Sequence, residues 1–212
     1  MINISTKECY KTVKSSGEAL IVEKKSKFIS TVRPVTSDEE AQSFLAEMRS
    51  KYSDATHNVY AYVIDENNIF RYSDDGEPGG TAGMPVLDTI RKEGLVDVAV
   101  VVTRYFGGTL LGTGGLVHAY GAACREGLLA AGIITRVLCD IVSVKVDYTL
   151  VGKMQYMIQE DGYILEDTVY DNEVTFRVCL KKEQIEKFVA DCTELTCGRA
   201  IIKKEEQKYI DI

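Results

Sequence analysis

The sequence predicts an α+β fold in two units, residues 1–135 and 136–212, and three observations carry that expectation. The run Val98-Ala99-Val100-Val101-Val102 has no polar alternation, which marks a strand covered on both faces and therefore central to a sheet. Eleven of the 17 glycines lie between Gly76 and Gly121 and three lie beyond Gly132, so the two parts of the chain follow different rules of construction. After Thr135 the periodicities read strand, helix, strand, strand, helix, strand, the β-α-β-β-α-β order of a ferredoxin-like domain. A chain of 212 residues, 45% hydrophobic and 27% charged, has the length and composition for two modest cores.

In chain order, two extended runs over 19–22 and 28–35 flank the polar segment Glu23-Lys24-Lys25-Ser26-Lys27, the pattern of a hairpin or of two neighbouring strands. Ser37 stands three residues before Glu40 as in a capping box, and Ala41, Phe44, Leu45, Met48 and Tyr52 then keep to one helical face. Residues 59–64 read as a strand, 65–68 as a tight turn and 69–72 as the partner strand. Pro85 suits the first turn of a short helix that Gly94 ends, with Val86, Leu87 and Ile90 facing inward. The central strand follows. A helix then begins about Thr113, carries Leu116, Val117, Tyr120, Cys124 and Leu128 at helical spacing, and stops at Gly132. The second unit reads as strand 140–148, helix 150–160, strand 163–170, turn at Asp171-Asn172, strand 173–180, helix 183–195 and strand 199–209. Alternation is clear in Val142, Val144, Val146 and again in Val174, Phe176, Val178.

Several function classes recede. No stretch approaches the roughly 18 continuous apolar residues of a membrane helix, and the opening MINISTKECYKTVK has no apolar signal-peptide region, so a cytoplasmic location without membrane association is expected. Six scattered cysteines without a C-x-x-C pair, and two histidines, His57 and His118, speak against zinc and for free thiols. The net charge of −7 speaks against nucleic-acid binding through bulk positive charge. A local patch remains, because residues 1–35 carry seven Lys/Arg against three acids; Lys24, Lys25 and Lys27 are its candidate core.

Two loops hold the candidate site. In Arg104–Gly121, RYFGGTLLGTGGLVHAYG, the glycines Gly107, Gly108, Gly112, Gly114 and Gly115 permit positive φ and close approach, and their amides beside a helix start suit an anion; tight turning alone is the other reading. Neither a Walker A loop nor G-x-G-x-x-G is present, since no lysine lies between Lys92 and Lys145 and Val117 replaces the third glycine. The second loop, SDDGEPGGTAGMP, crowds Asp74, Asp75 and Glu77, which suit either Mg²⁺ or acid-base work, or the fixing of a long turn through backbone amides. If the strands preceding the two loops run parallel, the loops face one another at one sheet edge, with acids opposite Arg104 and free amides.

These two loops, together with Ala55-Thr56-His57-Asn58-Val59-Tyr60-Ala61-Tyr62, resemble the YigZ/IMPACT family over residues 17–130, and the tail resembles, through its element order, the smaller domain of bacterial members. The resemblance implies a ribosomal protein S5 domain 2-like core followed by a ferredoxin-like domain similar to one in elongation factor G. It also implies kinship with a eukaryotic translation regulator that binds the activator of an amino-acid-starvation kinase. That regulator uses an additional N-terminal domain with no counterpart in these 212 residues, which puts the same partner in doubt.

Two functions follow as expectations. One is a non-enzymatic regulator that binds RNA, the ribosome or a translation-associated protein, with no cofactor. The other is an enzyme for a phosphorylated small molecule, in which Mg²⁺ could enter. The residues assigned to ligand or partner binding are His57, Asp74, Asp75, Glu77, Arg104, Tyr105, Gly107, Gly108, Gly112, Gly114 and Gly115, with none assigned to catalysis or to a resident metal.

Overall fold

The structure, a computed structural model, describes residues 7–212; residues 1–6 of the opening segment lie outside it. The chain divides into two compact units, 1–135 and 136–212. In the first, β1 (Cys9–Val13) runs beside the chain as it leaves the last helix of the unit, Lys14 N donating to Gly132 O at 2.7 Å. A five-stranded sheet follows, made of β2 (Gly17–Glu23), β3 (Ser26–Pro34), β4 (His57–Ile64), β5 (Ile69–Ser73) and β6 (Val98–Tyr105), in the order β2-β3-β6-β4-β5. All its pairings are antiparallel. The β2–β3 hairpin turns at Lys24 and Lys25, both with positive φ (45° and 68°), the twist that a two-residue hairpin turn requires.

Strand β6 is central and covered on both faces, which is why its sequence lacks polar alternation. Its Val98, Val100 and Val102 face α2 (Gly83–Lys92) and α3 (Gly112–Ala131), in one core with Val86, Leu87, Ile90, Tyr120 and Leu128. Ala99 and Val101 face α1 (Asp38–Lys51), in a second core with Phe44, Leu45, Met48, Tyr62 and Ile64. Ser37 Oγ accepts the Glu40 amide at 3.2 Å, as the sequence suggested, but the Glu40 carboxylate returns to the Thr36 amide at 2.7 Å, one residue before the usual partner. Gly127 lets α3 lie against β3, because a Cβ there would stand 2.2 Å from Ser30 Oγ.

In the second unit, β7 (Ile133–Val146), β8 (Ile164–Tyr170), β9 (Val174–Leu180) and β10 (Ile201–Asp211) form an antiparallel sheet, with β10 and β9 flanking β7 and β8 beyond β9. Helices α4 (Val151–Glu160) and α5 (Ile185–Leu195) cover one face. The alternating Val142, Val144, Val146, Val174, Phe176 and Val178 meet Met154, Ile158, Phe188 and Cys192 there. This is the ferredoxin-like arrangement. Strand β7 begins at Ile133, seven residues before the sequence suggested: Gly132, at φ 75°, ends α3 and the chain turns straight into extended structure. The boundary between the units therefore falls inside a strand.

Candidate functional site

Strands β5 and β6 each pair antiparallel with β4, so they point the same way, and the loops after them emerge at one edge of the sheet. Asp74 organises the first loop. Its carboxylate accepts the amides of Gly80 (2.9 Å), Ala82 (3.0 Å) and Gly83 (2.8 Å), which folds the loop back and satisfies free amides at the start of α2. Asp75, at φ 45°, accepts the Asn58 amide at 2.6 Å, and its carbonyl lies 2.8 Å from His57 Nδ1. A carbonyl can only accept, so Nδ1 carries a proton.

With the loop pinned in this way, Glu77 turns inward and is 8% exposed. Its Oε1 accepts from Arg104 Nη1 at 2.5 Å and from the Tyr120 hydroxyl at 2.8 Å, and His57 Nε2 stands 3.8 Å away. Burial, and then the Glu77 charge, push the Tyr120 phenol far above its ordinary pKa, so it remains a donor. Arg104 lies between the rings of Phe28 (5.4 Å) and Phe106 (5.6 Å); its Nε is buried without a partner among the described residues.

Above this constellation opens a cleft of ≈ 440 Å³ whose walls are mainly apolar: Pro78, Phe106, Leu110, Leu111 and Leu116, with Thr56, Gly112 and Thr113 among them. Phe106 and Leu110 are 47% and 83% exposed and form its lips. A larger hollow of ≈ 540 Å³ between α2 and α3, walled by Lys92, Glu93, His118, Arg125 and Glu126 among others, gathers no buried charged group, so the smaller cleft is the candidate.

The structure thus brings His57, Glu77, Arg104 and Gly112 together and turns the side chains of Asp74 and Asp75 to the backbone. Among the described residues no three His, Cys, Asp or Glu side chains are grouped to hold a metal ion. The glycines also divide. The Gly107 amide donates to Ser26 Oγ at 3.1 Å, and a Cβ there would stand 2.1 Å from the Lys25 carbonyl carbon, so its role is close packing against the β2–β3 turn. Gly108 and Gly112 hold φ of 83° and 75°, Gly115 packs on Leu111, and Gly114 faces open space. Tyr105 points to the opposite face of the sheet, its hydroxyl donating to Asp54 at 2.8 Å. Tyr120 was missed as a site residue because its spacing marks it as core; a hydroxyl on an otherwise apolar stripe was the available signal. All six cysteines are free, with Cys9 and Cys197 exposed.

Fold and site together define a two-unit α+β protein with a closed Glu-Arg-Tyr-His constellation beneath an apolar-lipped cleft. Residues 24–128 match the Impact N-terminal domain and residues 144–199 a domain of unknown function, DUF1949. IMPACT family member YvyE of Bacillus subtilis (strain 168) is 42% identical over 203 residues, covering 95% of this chain and 94% of that protein. IMPACT family member YigZ of Escherichia coli (strain K12) is 34% identical over 179 residues, 82% of this chain and 87% of that protein. A protein IMPACT homolog of Dictyostelium discoideum is 43% identical over 103 residues, 46% of this chain and 29% of its own length. A crystal structure of a hypothetical protein superposes with TM-score 0.59 and 28% identity, covering 94% of this chain and 98% of its own. The chain belongs to the IMPACT family. Among the described residues no helix is long and apolar enough to cross a membrane.

Proposed function

We propose that the chain is a non-enzymatic regulator acting in the cytoplasm on translation or a stress response, by binding RNA, the ribosome or a translation-associated protein. One observation supports this most: the polar groups of the two loops are spent on one another. Asp74 and Asp75 hold backbone amides, while Glu77 is held by Arg104 and Tyr120, and what faces outward is the apolar lip of Phe106 and Leu110. A carboxylate engaged by two donors is a poor general base, whereas exposed apolar groups around a polar floor suit a docking surface. The same reading takes residues 1–135 as an S5 domain 2-like unit and residues 136–212 as one resembling a domain of elongation factor G, both of translation-factor type.

The enzyme of a phosphorylated small molecule stays as a second reading, favoured by the buried Arg104 Nε and by the start of α3 at Gly112 and Thr113 in the same cleft. Under it Mg²⁺ would compete with backbone amides for Asp74 and Asp75. Affinity capture from lysate, with and without nuclease, separates the readings. Retention of ribosomes, RNA or a translation protein supports the regulator. Retention of no macromolecule, with thermal stabilisation by inorganic phosphate and Mg²⁺, supports the enzyme.

A further inference from the structure

On the face of the first sheet opposite α2 and α3, α1 covers Ala99, Val101, Tyr62 and Ile64 but not the far corner, where β2, β3 and β6 meet. Register and alternation bring Leu20, Val22, Lys27, Ile29 and Tyr105 to that uncovered corner: Leu20 pairs with Ile29, Val22 with Lys27, and Lys27 with Tyr105. Leu20 and Val22 are 57% and 60% exposed. Lys25, Lys27, Ile29, Tyr105 and Phe106 enclose a hollow of ≈ 290 Å³, so Phe106 is a wall shared with the Glu77 cleft.

Basic groups outnumber acids at this corner: Lys24, Lys25 and Lys27 enter no ion pair among the described residues, Glu18 is paired with Lys51 at 3.1 Å, and Asp54, which accepts the Tyr105 hydroxyl, and Glu23, beside Lys24, are the acids left near them. Gly107, by admitting the Lys25 backbone, draws the lysine turn against the segment that carries Tyr105 and Phe106.

Uncompensated lysines beside two partly exposed rings on an open sheet face suit a strand whose phosphates and unstacked bases are both accessible. We infer that this corner, formed by Lys24, Lys25, Lys27, Tyr105 and Phe106, is a binding platform for single-stranded RNA. The inference rests on the proposed regulatory function and names its partner. The rings stack on bases, Ile29 and Leu20 fill the floor, and the lysines take successive phosphates. A duplex keeps its bases stacked and cannot use the rings. A protein partner burying this corner would need acids to meet three lysines. The first unit carries 14 basic against 17 acidic residues, so affinity is modest and salt-sensitive.

The test is fluorescence anisotropy of the purified full chain with a labelled single-stranded RNA of about 12 nucleotides and with its duplex, from about 50 to 200 mM salt. The single strand should bind more tightly than the duplex. Combining Lys24→Asn, Lys25→Asn and Lys27→Gln, in which the amides tolerate the positive φ of the turn, should make the log–log salt slope shallower by about 2. Phe106→Ala should weaken binding roughly 5- to 150-fold without changing the slope, and Phe106→Tyr should restore it. Thermal melts of each variant separate lost binding from lost folding. Equal binding of the duplex, an unchanged slope in the lysine variant with Phe106→Ala neutral, or no binding at the lowest salt would overturn the inference. If lysate capture still retains a nuclease-resistant translation protein, the RNA platform fails alone and the regulatory reading stands.

Discussion

Glu77 Oε1 lies 2.5 Å from Arg104 Nη1 at the floor of the cleft, and the two side chains are 4% and 6% exposed. Breaking such a pair leaves an uncompensated buried charge, which costs far more than the pair contributes over an apolar replacement. Glu77→Ala should therefore destabilise the first unit by about 3–5 kcal/mol. The combined Glu77→Leu and Arg104→Met variant should lose less than the sum of the single changes. Denaturant unfolding of the wild type, Glu77→Leu, Arg104→Met and the combined variant checks this, and additive losses would mean that the pair is not coupled.

The glycines of the Arg104 loop should separate in the same assay. Gly107→Ala must displace the Lys25 backbone and should cost about 1–3 kcal/mol or more. Gly114 lies in the first turn of α3 with open space around it, so Gly114→Ala should stabilise by about 0.5–1 kcal/mol. Equal effects would remove the packing account of Gly107.

Asp74→Ala frees the Gly80 amide of the loop and the Ala82 and Gly83 amides at the start of α2, and should lower stability by about 1–2 kcal/mol. Asp74→Asn should recover part of this, because its carbonyl oxygen still accepts. Thermal melts are sufficient, and a neutral alanine variant would return Asp74 to the list of groups available to a ligand.

Alkaline stability should depend on Tyr62. Burial, followed by its hydrogen bond to Asp38, raises the phenol pKa from 10.0 to about 12. A phenol with a raised folded-state pKa favours the neutral form, so its stabilisation is complete below pH 10.0 and lost as pH rises through about 12. Tyr62→Phe should flatten this part of the stability curve, which unfolding titrations at pH 9 to 12 would read; an unchanged slope would contradict the assignment.

Much of the fold was legible because the signals were local. The apolar run of β6 reports two covered faces, and Ser37 caps α1 by accepting the Glu40 amide three residues on. Strand β1 escaped notice because its inward residues, Thr12 and Val13, are adjacent and the rest are exposed or half-buried, leaving no alternation to read. The site was legible in part. That the two loops meet depends on β4 lying between β5 and β6, a non-local fact that no window of sequence contains. Which of three neighbouring acids turns inward depends on which one captures the α2 amides, and only the folded loop decides that Asp74 does so and Glu77 does not.

The most direct measurement of the central claim is affinity capture from lysate with the wild-type chain and with Leu110→Asp, each with and without nuclease. Leu110 is 83% exposed, so the substitution changes the cleft lip with little effect on folding. The account predicts that the wild type retains ribosomes, RNA or a translation-associated protein and that Leu110→Asp retains markedly less. It is contradicted if the wild type retains no more of these than bare matrix, or if both proteins retain equal amounts.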